Sequence, residues 1–108
     1  ARALAQEPRV LIADEPTAGL APSHQLQLFQ HLRQIAARGV AVVVALHDLS
    51  LAARFGDGIV LMKAGQIAAS GAPGDVLTAR ILSSIYGVRM IAGTLEGIPV
   101  VLPHERLP

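Results

Sequence analysis

The chain alternates between short apolar runs and segments with helical periodicity. The runs 10–13 and 40–46 are apolar at every position, a pattern typical of strands that are covered on both faces of a parallel sheet. Between them, from Pro22 to Arg38, apolar residues recur at helical spacing and predict an amphipathic helix that Gly39 ends. Strand, helix and strand together predict a parallel βαβ unit with two fully buried strands.

The rest of the chain predicts shorter elements. They are a short helix that Asp48 caps, that runs through Arg54 and that Gly56 closes, a hairpin of strands 58–62 and 66–69 around Lys63, Ala64 and Gly65, a helix over about 74–86, and two short strands within 90–102 that turn at Glu96 and Gly97. Residues 1–6 resemble the end of a helix already under way, so we expect the chain to be the C-terminal part of a longer domain. The predicted fold class is α/β.

Composition narrows the possible functions. Apolar residues make up 52% of the 108 residues, which is enough for a core. Nine basic and eight acidic residues give a net charge of +1, so we expect no nucleic-acid partner. The sequence has no cysteine, which excludes disulfides and thiolate metal sites. No apolar run approaches the ~20 residues that span a bilayer, so we expect any membrane link to come through a partner protein.

Polar residues follow both predicted strands of the βαβ unit. Asp14 and Glu15 come directly after the first strand, and His47 comes directly after the second. Parallel strands joined by one crossover end at the same edge of the sheet, where ligands bind in open α/β sheets. We therefore expect these three side chains to face one crevice.

Structural roles for these residues are the alternative interpretation. Asp14 and Glu15 could cap the turn after a strand, and His47 could be a strand-end histidine beside the helix-capping Asp48. Other charged or titratable residues are expected on solvated surfaces; they are His24, His31, His104, Lys63 and Arg80.

The motifs around these residues resemble the ATP-binding-cassette (ABC) ATPase superfamily. The run VLIADEPTAGLAP (10–22) resembles its Walker B motif and D-loop, and the run 41–71 resembles its switch-histidine strand and following hairpin. ARALAQEP at the start is similar to the helix after its signature loop. The resemblance implies that residues 1–108 are the C-terminal part of a single nucleotide-binding domain with a P-loop NTPase fold.

The resemblance also implies roles for individual residues. Asp14 matches the residue that holds Mg²⁺ on ATP, through water, and Glu15 matches the general base that activates the attacking water. His47 matches the switch histidine that contacts the γ-phosphate. The D-loop matches Ala18, Gly19, Leu20 and Ala21. The family usually has Asp at the position of Ala21, where it caps the next helix and couples two sites, so this departure concerns coupling and not nucleotide binding.

The resemblance implies a transporter ATPase that uses ATP and Mg²⁺. The phosphate-loop pattern G-x-x-x-x-G-K-[ST], the glutamine loop and the signature loop do not occur in the sequence, so the chain carries the hydrolytic half of a site. The segment 85–103 is similar to the ends of importer ATPases for iron chelates, haem or cobalamin. Implied partners are a second ATPase subunit, in a homodimer, and transmembrane permease subunits, at the cytoplasmic face of the membrane. The alternatives are an ABC-type ATPase outside transport and an inert fragment.

Overall fold

The computed structural model describes residues 10–107. The chain divides into two units, residues 1–47 and residues 48–108, and each is described by itself. The predicted helix end at residues 1–6 lies outside the described residues. Within residues 10–107, no helix has the length and apolar character that a bilayer-spanning helix requires.

The first unit contains the predicted βαβ arrangement. Strand β1 (Val10–Asp14), helix α1 (Pro22–Ala37) and strand β2 (Ala41–Ala45) follow in order, and the two strands pair in parallel. Helix α1 begins with Pro22 at its first turn, buries Phe29 and Leu32, and is followed by Gly39 in a left-handed conformation with φ 92°. The α/β prediction and the βαβ order are confirmed.

The prediction that both strands are fully buried is wrong for the described residues. Burial alternates along β1 and β2, and exposure reaches 74% at Ile12 and 54% at Val43, which pair with each other in the register. Helix α1 contacts β2, and the sheet has one half-buried face that includes Leu11 and Val42. The other face is apolar and exposed, because the described part of this unit supplies only one helix to cover two strands.

The second unit begins with a capped helix and a hairpin, both as predicted. The Asp48 carboxylate accepts a hydrogen bond from the Leu51 N–H at 3.0 Å and starts helix α2 (Leu49–Phe55), which ends at Gly56. Strands β3 (Ile59–Lys63) and β4 (Gln66–Gly71) pair antiparallel. Ala64 and Gly65 form the turn between them with positive φ, as a two-residue hairpin turn requires.

The single helix predicted over about 74–86 is two helices. Helix α3 (Pro73–Val76) ends at Leu77, and helix α4 (Ala79–Tyr86) begins after it. The break occurs because the Thr78 hydroxyl accepts a hydrogen bond from the Ile81 N–H at 3.2 Å and so acts as the N-cap of a new helix. Helix α4 then ends at Gly87, which has a left-handed backbone.

The last two strands are longer than predicted. Strands β5 (Val88–Leu95) and β6 (Ile98–Arg106) pair antiparallel around Glu96 and Gly97. Strand β5 contacts α4, and β6 contacts α2. The buried residues of this unit form one core; they are Ile59, Leu61, Val76, Leu77, Leu82, Met90 and Val101.

Candidate functional site

The polar residues that follow β1 and β2 lie at one edge of the parallel sheet. Asp14 is the last residue of β1 and pairs with Ala45, the last residue of β2. The Glu15 N–H donates to the Ala45 carbonyl oxygen at 2.9 Å, so the pairing continues one residue beyond β1. His47 follows Ala45 and Leu46 in the chain. Strand polarity and register therefore bring the ends of both strands together.

Glu15 and His47 are in contact at this edge. The Oε1 atom of Glu15 lies 3.4 Å from Nε2 of His47. The His47 side chain is 95% exposed and that of Glu15 is 30% exposed, so the imidazole is accessible to a ligand while the carboxylate is partly buried. The contact is an ion pair when the imidazole is protonated. It places a proton acceptor beside a ring nitrogen that can bind an oxyanion, and the catalytic roles of both residues stay predictions.

Asp14 is exposed at the same edge, on the face of the sheet that carries Ile12. Its role in holding Mg²⁺ stays a prediction. Within residues 10–107, no group of three or more His, Cys, Asp or Glu side chains could hold a metal ion by itself. Mg²⁺ in proteins usually takes one or two carboxylates and completes its shell with phosphate oxygens and water. The donor set therefore fits Mg²⁺ that arrives with a phosphate ligand.

The segment between β1 and α1 consists of two consecutive turns. The Ala18 N–H donates to the Glu15 carbonyl oxygen at 3.1 Å, and the Leu20 N–H donates to that of Thr17 at 3.1 Å. Gly19 has φ 77°, a value that glycine adopts without steric cost. Thr17 is buried within this segment, with only 7% of its surface exposed. The proposed D-loop is therefore an ordered turn that leads into α1.

Ala21 occupies the N-cap position of α1, as predicted. It has an extended backbone and makes no side-chain cap hydrogen bond, and Pro22 follows it inside the helix. The Gln25 side-chain amide donates to the Leu20 carbonyl oxygen at 3.3 Å, which connects α1 to the preceding loop but leaves the free N–H groups of the first turn uncapped. Sequence reasoning missed Gln25 and the burial of Thr17. A hydrogen-bonding side chain in the first turns of α1 was the available signal for Gln25.

Several curated proteins resemble the sequence closely. It is 46% identical over 105 residues to the hemin import ATP-binding protein HmuV of Thermobifida fusca, covering 95% of this chain and 37% of that protein. It is 46% identical over 103 residues to the protein of the same name from Rhizobium meliloti, covering 94% and 39% respectively. The chain thus spans well under half the length of these relatives. No protein-family profile matches it.

Solved structures share the fold. The ADP conformation of the ATP-binding cassette of an ABC transporter superposes with a TM-score of 0.65 at 31% identity, covering 79% of this chain and 35% of that one. An ABC transporter in an inward-facing conformation gives a TM-score of 0.76 over 95% of this chain and 43% of that one; at 20% identity it supports the fold alone. By sequence and by fold, the chain belongs to the ATP-binding-cassette ATPase family.

Proposed function

We propose that the chain provides the hydrolytic half of the ATP site in the ATPase subunit of an ABC importer. The observation that carries this proposal is the 3.4 Å contact between Glu15 and His47 at the edge where β1 and β2 end. A carboxylate and an imidazole held together at a ligand-binding edge can bind and activate a water molecule beside a phosphate. A turn cap or a lone strand-end histidine requires no such contact.

Each residue then has one task in hydrolysis. The Glu15 carboxylate orients the attacking water and accepts its proton. The His47 imidazole, which is highly exposed, donates a hydrogen bond to the γ-phosphate and keeps the water in line. The Asp14 carboxylate would hold Mg²⁺, through water. When bound, this ion neutralises charge on the phosphate oxygens. Phosphoryl transfer depends mainly on positioning and electrostatics. The rate of hydrolysis therefore depends on how accurately these three side chains are placed at the edge of the sheet.

ATP binding needs groups that this sequence does not contain. A phosphate-loop motif is absent from its 108 residues, and backbone N–H groups of such loops supply the main anion site in P-loop proteins. We therefore assign residues 1–108 to the C-terminal part of one nucleotide-binding domain. The segment that binds the phosphates would belong to the rest of that domain. The D-loop at 18–21 would face a second ATPase subunit in a homodimer.

The relatives named for hemin import support haem or an iron chelate as the cargo of the complete transporter. A structural neighbour, 31% identical with a TM-score of 0.61, is described as part of the cbiONQ ABC transporter complex, which supports a multi-subunit assembly. We propose that transmembrane permease subunits are the partners. They would hold the ATPase at the cytoplasmic face of the membrane.

A chimera tests the proposal. Residues 1–108 replace the matching segment of the Thermobifida fusca relative, and ATP hydrolysis and haemin uptake are measured with the relative's permease in vesicles. We expect both activities, and we expect Glu15→Gln to abolish them while Glu96→Gln, at the exposed β5–β6 turn, leaves them intact. A chimera that folds and binds ATP without hydrolysing it would contradict the proposed ATPase role. Hydrolysis without haemin uptake would contradict only the proposed cargo.

A further inference from the structure

The two outer edges of the β5–β6 hairpin differ in the backbone groups that they leave free. Along β6, every second residue directs its N–H and C=O groups away from β5. Val101 has this orientation, because the Ser50 hydroxyl binds both of its backbone groups. Pro99 and Pro103 lie two residues to either side, share the orientation and have no N–H. The outer edge of β6 therefore offers no free N–H between these two prolines.

The outer edge of β5 is open over its second half. Ala92 pairs with Val101, so the backbone groups of Ala92, and of Thr94 two residues further on, also point outward. Met90 has the same orientation, but its N–H donates to the Ser83 hydroxyl of α4 at 3.0 Å. In the described part of the chain no strand pairs with this edge, and both Ala92 and Thr94 are exposed. Two N–H and two C=O groups are thus available to a further strand.

An apolar cavity adjoins this edge. It has a volume of about 290 Å³ and is lined by residues of α2, α3, β5 and β6, among which Thr94 has the one polar side chain. Ala92 and Thr94 share a face of the hairpin with the buried Val101, so the cavity lies on the core side. Since a cavity of about 150 Å³ can bind benzene, this one has room for a leucine or phenylalanine side chain.

The edge and the cavity together define the chemistry of the molecule that fits them. Free backbone groups in a row are matched by the backbone of another extended segment. In such a segment side chains alternate, so the two residues opposite Ala92 and Thr94 would face the cavity. A second copy of β5 fits poorly, because it would present its own Ala92 and Thr94 there, and these side chains are too small to fill the space.

We propose that the open edge of β5 and the adjoining cavity form a docking site for an extended segment of a partner protein. The segment adds a third strand to the hairpin and places large aliphatic side chains, two residues apart, against the cavity. Pairing is confined to residues 91–95, because α4 occupies the edge at Met90. None of these residues belongs to the proposed hydrolytic site, so the docking site does not depend on ATP hydrolysis.

Three short peptides test the site on the nucleotide-free chimera. The first has six residues and blocked ends, with lysine first for solubility, leucine third and fifth, and threonine elsewhere. The second has alanine in place of both leucines, and the third is methylated on the backbone nitrogen of both leucines. We expect fluorescence anisotropy to show binding of the first peptide, and at least about tenfold weaker binding of the other two, which lack the apolar side chains or the backbone donors.

Amide hydrogen exchange, measured by NMR, locates the bound peptide. Exchange of the Ala92 and Thr94 N–H groups should slow at least about tenfold when the leucine peptide binds, whereas the Val101 N–H, which Ser50 already binds, should not change. Ala92→Leu fills the cavity from β5 and should weaken peptide binding at least about tenfold. Gly93→Ala is the matched control, because its added Cβ atom meets no other atom within 4 Å, and it should leave binding unchanged.

Several results would overturn the proposal. One is equal binding of the leucine and alanine peptides, and another is binding that leaves exchange at Ala92 and Thr94 unchanged. Absence of binding at millimolar peptide would also contradict it. Slow exchange of both amides before any peptide is added would mean that the rest of the domain or a second copy already covers the edge. The peptide comparisons use the unsubstituted chimera, so they remain decisive if Ala92→Leu does not fold.

Discussion

The hydroxyl of Ser50 binds both backbone polar groups of Val101, which lies 51 positions further along the chain. It donates to the Val101 carbonyl oxygen at 3.1 Å and accepts from the Val101 N–H at 2.9 Å. One small side chain thus connects the first turn of α2 to the middle of β6. Val101 is a buried member of the core, so the two hydrogen bonds lie where water competes poorly.

Ser50→Ala should lower the free energy of unfolding of the 108-residue chain by about 1–2 kcal/mol, because it leaves a partly buried N–H and carbonyl without their partner. Urea denaturation measures the change. Ser84→Ala is the control, since Ser84 is exposed within α4 and alanine favours helices. Equal stability of Ser50→Ala and the parent would show that water replaces the hydroxyl without cost.

Ala21→Asp should raise stability by about 1 kcal/mol, because an aspartate at the N-cap can accept a hydrogen bond from a free N–H of the first turn of α1. Thermal or urea denaturation of the chain measures this gain. The same substitution at Ala37, the last residue of α1, should destabilise, since a carboxylate is unfavourable at a helix C-terminus. In the chimera, Ala21→Asp should not reduce ATP hydrolysis. A lower melting temperature for Ala21→Asp would refute the capping argument.

Substitutions of the three residues at the sheet edge should have different effects on nucleotide binding and turnover in the chimera. Glu15→Gln keeps the size of the side chain but removes the proton acceptor, so ATP binding should persist while turnover falls by about 10²–10⁴-fold. Asp14→Asn should weaken Mg-ATP binding as well as turnover, because it removes charge beside the ion. His47→Ala should spare binding and slow hydrolysis. Nucleotide affinity and single-turnover rates distinguish the three, and retention of more than about a tenth of turnover by Glu15→Gln would exclude it as the base.

The 108-residue chain by itself should not bind Mg-ATP with micromolar affinity, because its sequence lacks the phosphate-loop motif. Isothermal titration calorimetry with Mg-ATP measures this directly, and the chimera serves as the positive control. Micromolar binding by the isolated chain would mean that the edge formed by Asp14, Glu15 and His47 provides an anion site of its own.

The βαβ unit and its polar edge could be predicted from the sequence, because they depend on periodicity and strand polarity. The apolar runs place β1 and β2, and the parallel direction of the two strands brings Glu15 and His47 to one edge whatever the details of packing. The left-handed backbone of Glu15 could not be predicted, since it depends on hydrogen bonds to Ala45 and Ala18 that form only in the folded chain.

The two incorrect predictions, a single helix over about 74–86 and two fully buried strands, have similar physical causes. The break between α3 and α4 depends on whether Thr78 uses its hydroxyl as a cap or lies inside a helix, and both fit the apolar spacing of this segment. Continuous apolar runs predict covering layers on both faces of a sheet, but the pattern does not say which part of a polypeptide provides them. The exposure of Ile12 and Val43 is therefore a property of the described residues that strand composition alone does not reveal.

The exposed apolar face of the β1–β2 sheet also affects the self-association of this polypeptide in solution. Val10, Ile12 and Val43 are 55%, 74% and 54% exposed, and a net charge of +1 gives molecules little mutual repulsion. The free energy falls when such surfaces leave water, so self-association should increase with concentration. Sulfate or phosphate buffers strengthen that tendency. Dilute samples in chloride buffers therefore offer the best conditions for keeping the chain monomeric.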